Sequence, residues 1–318
     1  MLEGRLGLEG ARVPQADRHG LLWLGRGQLT VEHGTLRFAT AGYEQLDAGD
    51  YAVPYQMVSC FLLAPGTSVS HDALRLLARH GCGLVAVGEG GVRFYASMPA
   101  GPDASERARK QAWAWADPAA RTRIVRRMYA WRLGEVLPAT DLDALRGIEG
   151  ARVKQSYKLV AQQFGVRWRG RRYDRRRPEQ VDAPNRAINH ASSALQAAAQ
   201  VAVAVTGALP QLGFIHESSG IAFPPDIADL LREEVLLPIA FGAVQEAQRD
   251  ARGTVPLERR VRRRAVSVFR REQVIARMID RIKELLDELP LGPSAGRGEA
   301  LNASDDAEGN AGSEGDAA

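Results

Sequence analysis

The chain has 318 residues, 45% of them hydrophobic and 25% charged, with a formal net charge of +4. That is length for two domains of ordinary size and a normal balance for a soluble globular protein. No apolar run approaches the roughly 18 residues of a membrane helix, and the start MLEGRLGLEG lacks the basic and apolar regions of a signal peptide, so a soluble cytoplasmic protein with no membrane partner is expected.

The two cysteines, Cys60 and Cys82, lie outside any CxxC pair. No zinc or redox motif is visible, and reduced thiols are the simpler reading. Charge is spread unevenly. Residues 292–318 hold six acids and one base, Arg297; they carry −5, which leaves +9 on the other 291 residues. A basic, arginine-rich body points to a polyanionic partner, nucleic acid first.

In chain order, residues 20–100 read as strands and turns. LLWLGRGQLTVEHGTLRF alternates apolar and polar residues across Gly-containing turns, and YAVPYQMVSCFLLAPGTSVS is a second β-like pair. Residues 71–81 are the exception, an amphipathic helix ended by Gly81. CGLVAVGEGGVRFYAS gives two apolar strands around a turn at Gly88–Gly91. The Pro/Gly/Ser stretch from Ser97 to Ser105 is the expected linker. Beyond it the period becomes helical: residues 105–134 with an interruption near Asp117–Pro118, then 141–164, a small-residue apolar helix over 191–209, and helices over 226–250 and 257–289. The tail 292–318 has almost no large apolar residues and is expected to be disordered. The fold class is therefore α+β: a β-rich domain over 1–100, a helical domain over 101–291, and the acidic tail.

Three stretches can carry chemistry. In LGFIHESSGIAFPPDIADLLREE, an apolar run delivers His216, and Pro224 and Pro225 launch a helix bearing Asp226 and Asp229 one turn apart on one face. Two carboxylates and an imidazole suit a hard divalent cation; acidic residues are also favoured at a helix N-terminus by the dipole alone. In LDALRGIEGARVKQSYKLV, Glu149 interrupts the stripe Leu142, Leu145, Val153, Ser156, Val160. An inward carboxylate needs a metal or an ion-pair partner, for which Arg146 and Arg152 are near. In VRWRGRRYDRRR, seven arginines are interleaved with Trp168 and Tyr173, a pattern for clamping phosphates and stacking on unpaired bases. A second basic run, residues 258–272, turns Val261, Val266 and Phe269 to the core. GEGGVR lacks a following phosphate-binding helix, and no Walker A motif, GxSxG elbow or zinc spacing is present.

Several stretches together resemble the CRISPR-associated integrase family, the first protein of the Cas series, in its subtype I-E form: LAPGTSVSHDALRLLARHG, GEGGVRFYAS, LRGIEGARVK, FGVRWRGRRYD, and GFIH followed by DIADLLREE. The resemblance implies a β-domain used for homodimerisation and a helical catalytic domain. It implies a complex with CRISPR-associated protein two, in which two dimers of this chain flank a dimer of the partner. The family inserts short double-stranded DNA, the protospacer, into the CRISPR repeat by attack of a 3′-hydroxyl on a phosphodiester, with Mg²⁺ or Mn²⁺. By resemblance Glu149, His216 and Asp229 are metal ligands, Asp226 is a neighbouring catalytic acid, and Arg93, Arg171, Arg172 and Arg232 contact DNA. Two departures stand out: ESSG after His216 lacks a lysine that relatives can carry, and Gln196 stands where an aromatic can occur. A metal nuclease for branched DNA and a non-catalytic architectural DNA-binding subunit are the alternative readings.

Overall fold

A computed structural model describes residues 19–43, 46–97, 105–135, 142–172, 181–217, 220–250, 253 and 255–290. The expected acidic tail, most of the expected linker, Tyr173, and Arg175, Arg176 and Arg177 lie outside the described residues.

Among the described residues the alternating segments form eight strands: β1 (His19–Leu24), β2 (Gly27–Glu32), β3 (Thr35–Thr40), β4 (Gly49–Ala52), β5 (Val58–Leu63), β6 (Thr67–Val69), β7 (Gly83–Val87) and β8 (Phe94–Ser97). They make two four-stranded sheets, ordered β1-β5-β7-β8 and β4-β3-β2-β6. In the first, β1, β5 and β7 run parallel and β8 antiparallel; in the second, β2 and β3 form a hairpin with Glu32 opposite Thr35. His33 and Gly34 both take positive φ, 49° and 78°, which matches the turn to the right-handed strand twist. Helix α1 (His71–Arg79), capped by the Ser70 side chain, sits between β6 and β7 as its amphipathic pattern predicts.

The SCFLL run of β5 is apolar on consecutive residues because it serves two cores. Phe61 and Leu63 face Leu29, Leu36 and Phe38 of the second sheet and Leu77 of α1. Cys60 and Leu62, with Val85 and Val87 of β7, belong instead to the helical core. Cys60 and Cys82 are free thiols, and burial, then Cys82, pushes the Cys60 thiol up to about 12.

The described helices that follow are α2 (Ser105–Ala116), α3 (Pro118–Leu133), α4 (Leu142–Gln163), α5 (Ala183–Thr206), α6 (Phe223–Asp229), α7 (Leu237–Arg249), α8 (Leu257–Arg271) and α9 (Val274–Leu286). The break at Asp117–Pro118 falls as expected, with Asp117 capping α3. Helix α5 is the axis of the helical part: its alanine and valine faces are buried against α6, α7, α8 and α9 and against β7 and β8. It starts eight residues before the expected 191, because Asp182 caps it and Pro184 fits its first turn. The expected single helix over 226–250 is broken. Helix α6 stops at Asp229, a π-helical turn spans Arg232–Leu236, and α7 restarts there. Pro238, with no N–H to continue an α-helical ladder, lies in the first turn of α7. The expected helix over 257–289 is likewise two helices, parted where Gln273 takes a left-handed conformation at φ 50°. Among the described residues, no helix is long and apolar enough to cross a membrane.

Asp182 anchors more than a helix end. Its Oδ1 accepts from the Asn185 N–H at 3.0 Å and from Asn185 Nδ2 at 2.7 Å. Asn185 in turn accepts from the Arg172 N–H at 2.8 Å and donates to the Gly170 carbonyl at 3.0 Å. Replacing Asp182 with Ala is expected to cost roughly 1 kcal/mol, read as a lower urea midpoint; an unchanged midpoint would show that the cap is not holding α5.

Candidate active site

The chain between α5 and α6 is held from both sides, so its path is set before any ligand arrives. Gln111 of α2, fully buried, donates to the Leu209 and Leu212 carbonyls at 3.0 and 2.8 Å and accepts from the Leu209 N–H at 2.7 Å. Arg121 of α3 donates to the Phe214 carbonyl at 3.0 Å and pairs with Glu217. From the other side comes Asp226 of α6, also fully buried. One carboxylate oxygen accepts from the N–H groups of Phe214 and Ile215 at 2.6 and 3.0 Å. The other accepts from the His216 N–H at 3.0 Å and lies 2.5 Å from His216 Nδ1. Gly213 permits this closeness: a Cβ there would stand 2.5 Å from the His216 carbonyl oxygen and 2.7 Å from the Ala222 carbonyl carbon.

Asp226 and Asp229 were expected to act together from one helix face, but the structure divides their work. Both oxygens of Asp226 are committed to the 214–216 backbone and to His216. Asp229 instead pairs with Arg232 and lies 3.6 Å from Nη1 of Arg132. The same Nη1 is 2.8 Å from Glu149 Oε1. Glu149 is indeed inward, as the stripe with buried Leu145 predicts. Arg152 is not its partner, since it pairs with Glu135; the Arg146 side chain lies outside the described residues. Arg132, its side chain only 5% exposed at the end of α3, thus brings Glu149 and Asp229 to one point. Sequence reasoning missed it: Arg132 is one of several arginines in ARTRIVRRMYAWR, and only the crossing of α3, α4 and α6 singles it out.

The expected DNA-contacting arginines fall into two groups. Arg171 and Arg172 lie exposed beside the first turns of α5, where Arg171 donates to Asn185 at 3.1 Å and Asn189 at 2.6 Å. Arg93 lies by the same helix, in a small cleft with His190, Ala194, Glu258 and Arg262, and pairs with Glu258 at 3.4 Å. Arg232 is turned to Asp229 at the site itself. Val166 is buried and Trp168 half-buried while Arg167 and Arg169 point out. The expected stacking of Trp168 on bases is not available here: its ring is stacked on Tyr157 at 5.2 Å and set edge-on to Phe241 at 5.6 Å.

The family described as CRISPR associated protein Cas1 matches residues 129–271, which include Arg132 and all four expected site residues. The CRISPR-associated endonuclease Cas1 of Geobacter sulfurreducens is 38% identical over 275 residues, covering 86% of each chain. The chain belongs to the Cas1 family. The Escherichia coli CRISPR-associated endonuclease Cas1 is 36% identical over 89% of this chain and 90% of its own length. A crystal structure of a TtCas1–DNA complex superposes with a TM-score of 0.76 at 36% identity, over 86% of this chain and 98% of that one.

Among the described residues of this Cas1-family chain, no three His, Cys, Asp or Glu side chains close into a ready metal cluster. The donor chemistry nevertheless fits a hard divalent ion. Glu149 and Asp229 offer oxygens that already converge on one positive charge, and Asp226 at Nδ1 leaves His216 Nε2 as the nitrogen to ligate, the usual carboxylate–histidine relay. The hydrogen bond to Asp226 raises the His216 pKa above its ordinary value; partial burial opposes this, and the charges of Asp226 and Asp229 add to it.

Two outcomes follow from this geometry. Gly213→Ala forces the new methyl into backbone at His216 and Ala222, an overpacking expected to cost about 1–3 kcal/mol; a thermal midpoint equal to wild type would refute the close approach. Protonated His216 adds stability that is complete below about pH 6.5 and is lost as pH rises through its raised folded value. The stability gap between metal-free wild type and His216→Gln, from denaturant melts, is therefore expected to be wider near about pH 5.5 than near about pH 8.5. A gap independent of pH would sink the His216–Asp226 pairing.

Proposed function

We propose that this chain is a cytoplasmic, divalent-metal-dependent DNA integrase and endonuclease of CRISPR spacer acquisition, of the subtype I-E kind. Its relatives are named CRISPR-associated endonucleases, and one structural relative is described in complex with DNA. The observation that carries the reading is the convergence of Glu149 and Asp229, from two helices distant in sequence, on one buried positive charge. Mg²⁺ or Mn²⁺ bound by Glu149, Asp229 and His216 would polarise the scissile phosphate and favour the attacking 3′-oxygen.

The residues supply the rest. Asp226 holds His216 in one orientation and one tautomer, with Nε2 outward, and Gln111 and Arg121 keep the loop from drifting. Arg167, Arg169, Arg171 and Arg172 form an exposed run that tracks the phosphate backbone of a protospacer or CRISPR-repeat duplex, so affinity falls steeply with salt. CRISPR-associated protein two is the proposed partner, with homodimerisation through the β-rich part.

The test is a gel assay on a short duplex and a repeat-bearing plasmid, with the partner protein and Mn²⁺. Wild type is expected to give joined products, which EDTA removes. His216→Ala is expected to abolish joining while duplex binding stays near the wild-type level. Normal joining by the variant would refute the site. Cut products without joined ones would make the chain a nuclease alone, and binding without any product would make it an architectural subunit.

A further inference from the structure

A guanidinium presents five N–H donors in a flat fork and does best when two of them meet a carboxylate side by side. Arg107 does this elsewhere in the chain: its Nε and Nη2 reach the two oxygens of Asp287 at 2.7 and 2.9 Å. Arg132 does not. Among the described residues it meets the carboxylates through Nη1 alone, at 2.8 Å from Glu149 and 3.6 Å from Asp229, while its Nε and Nη2 are buried with no hydrogen-bond partner. Orphaned buried donors are unfavourable. They are tolerated here because the two carboxylates, only 19% and 17% exposed, need a positive charge between them. What Arg132 contributes is charge at a point rather than a fitted set of hydrogen bonds.

A divalent ion needs the same oxygens. Placed there with Arg132 unmoved, it would lie against a buried guanidinium, and the repulsion would be poorly screened. We propose that Arg132 is an internal stand-in for the cation: it holds Glu149 and Asp229 together in the metal-free protein, and the metal displaces it on binding. This rests on the reading of Glu149 and Asp229 as metal ligands. The metal affinity of the free chain is then set by a competition inside the site. Arg132 keeps the carboxylates gathered at the cost of weaker metal binding.

The sign of one measurement separates a stand-in from a fixed partner. Mn²⁺ is titrated into the metal-free full chain, with the free ion followed by electron paramagnetic resonance. Arg132→Met is expected to bind Mn²⁺ about tenfold tighter than wild type, as removal of a competing buried charge requires. Its melting temperature is expected to fall below wild type in EDTA and to recover in saturating Mn²⁺. Equal or weaker Mn²⁺ binding by Arg132→Met, with Glu149→Gln abolishing it, would overturn the stand-in and leave the metal site intact. Mn²⁺ binding undiminished in Glu149→Gln would overturn the site reading itself. Should Arg132→Met fail to fold without metal, Arg132→Gln carries the test: it removes the charge and keeps a polar side chain, and Mn²⁺ binding no tighter than wild type would again overturn the proposal.

Discussion

The site depends on one buried carboxylate. Asp226 gathers three consecutive backbone N–H groups and the Nδ1 of His216 onto two oxygens, with no exposure to solvent. A carboxylate removed from water is costly unless its oxygens are fully used, so this network is either complete or strongly unfavourable. That asymmetry gives His216 one position and one tautomer. It also ties the loop after α5 to α6, so that the imidazole and the next acid along, Asp229, keep a constant relation.

Around that anchor the charges balance in pairs. Asp226 is set against His216, and Glu149 and Asp229 against Arg132 and Arg232. Burial works against the charge of Arg232, and Asp229 beside it, with Tyr157 and Glu149, outweighs that effect and holds its pKa above the ordinary value. The result is a partly desolvated cluster of paired charges at the meeting of α3, α4 and α6, with an exposed basic run beside the first turns of α5.

The β-rich part bears on the site through the first sheet. That sheet lends one face to the core it shares with the second sheet and the other to the helical core, where α5 lies against β7 and β8. The position of α5 is therefore braced by strands on one side and by α6 to α9 on the others. The Asn185 bridge passes that rigidity on to Gly170 and Arg172.

Local pattern determined a good deal. Strand alternation, the Ser70-capped helix, the break at Asp117–Pro118 and the inward face of Glu149 are short-range effects of side-chain period and capping, and they are visible in the residues themselves. So was the pairing of GFIH with DIAD, which are ten residues apart in the chain. The division of labour between Asp226 and Asp229 was not visible. Spacing puts both on one helix face but cannot say that one meets a loop folding back and the other an arginine from α3. Nor could periodicity find the π-turn at Arg232–Leu236, because a shift of one residue in the hydrogen-bond ladder barely changes the apolar pattern. Trp168 looked like a stacking platform among arginines, and only the approach of Tyr157 and Phe241 made it core. Above all, Arg132 is one arginine among many in the sequence. Its place between Glu149 and Asp229 comes from the crossing of three helices, and long-range burial of charge is a property that no local stretch of sequence carries.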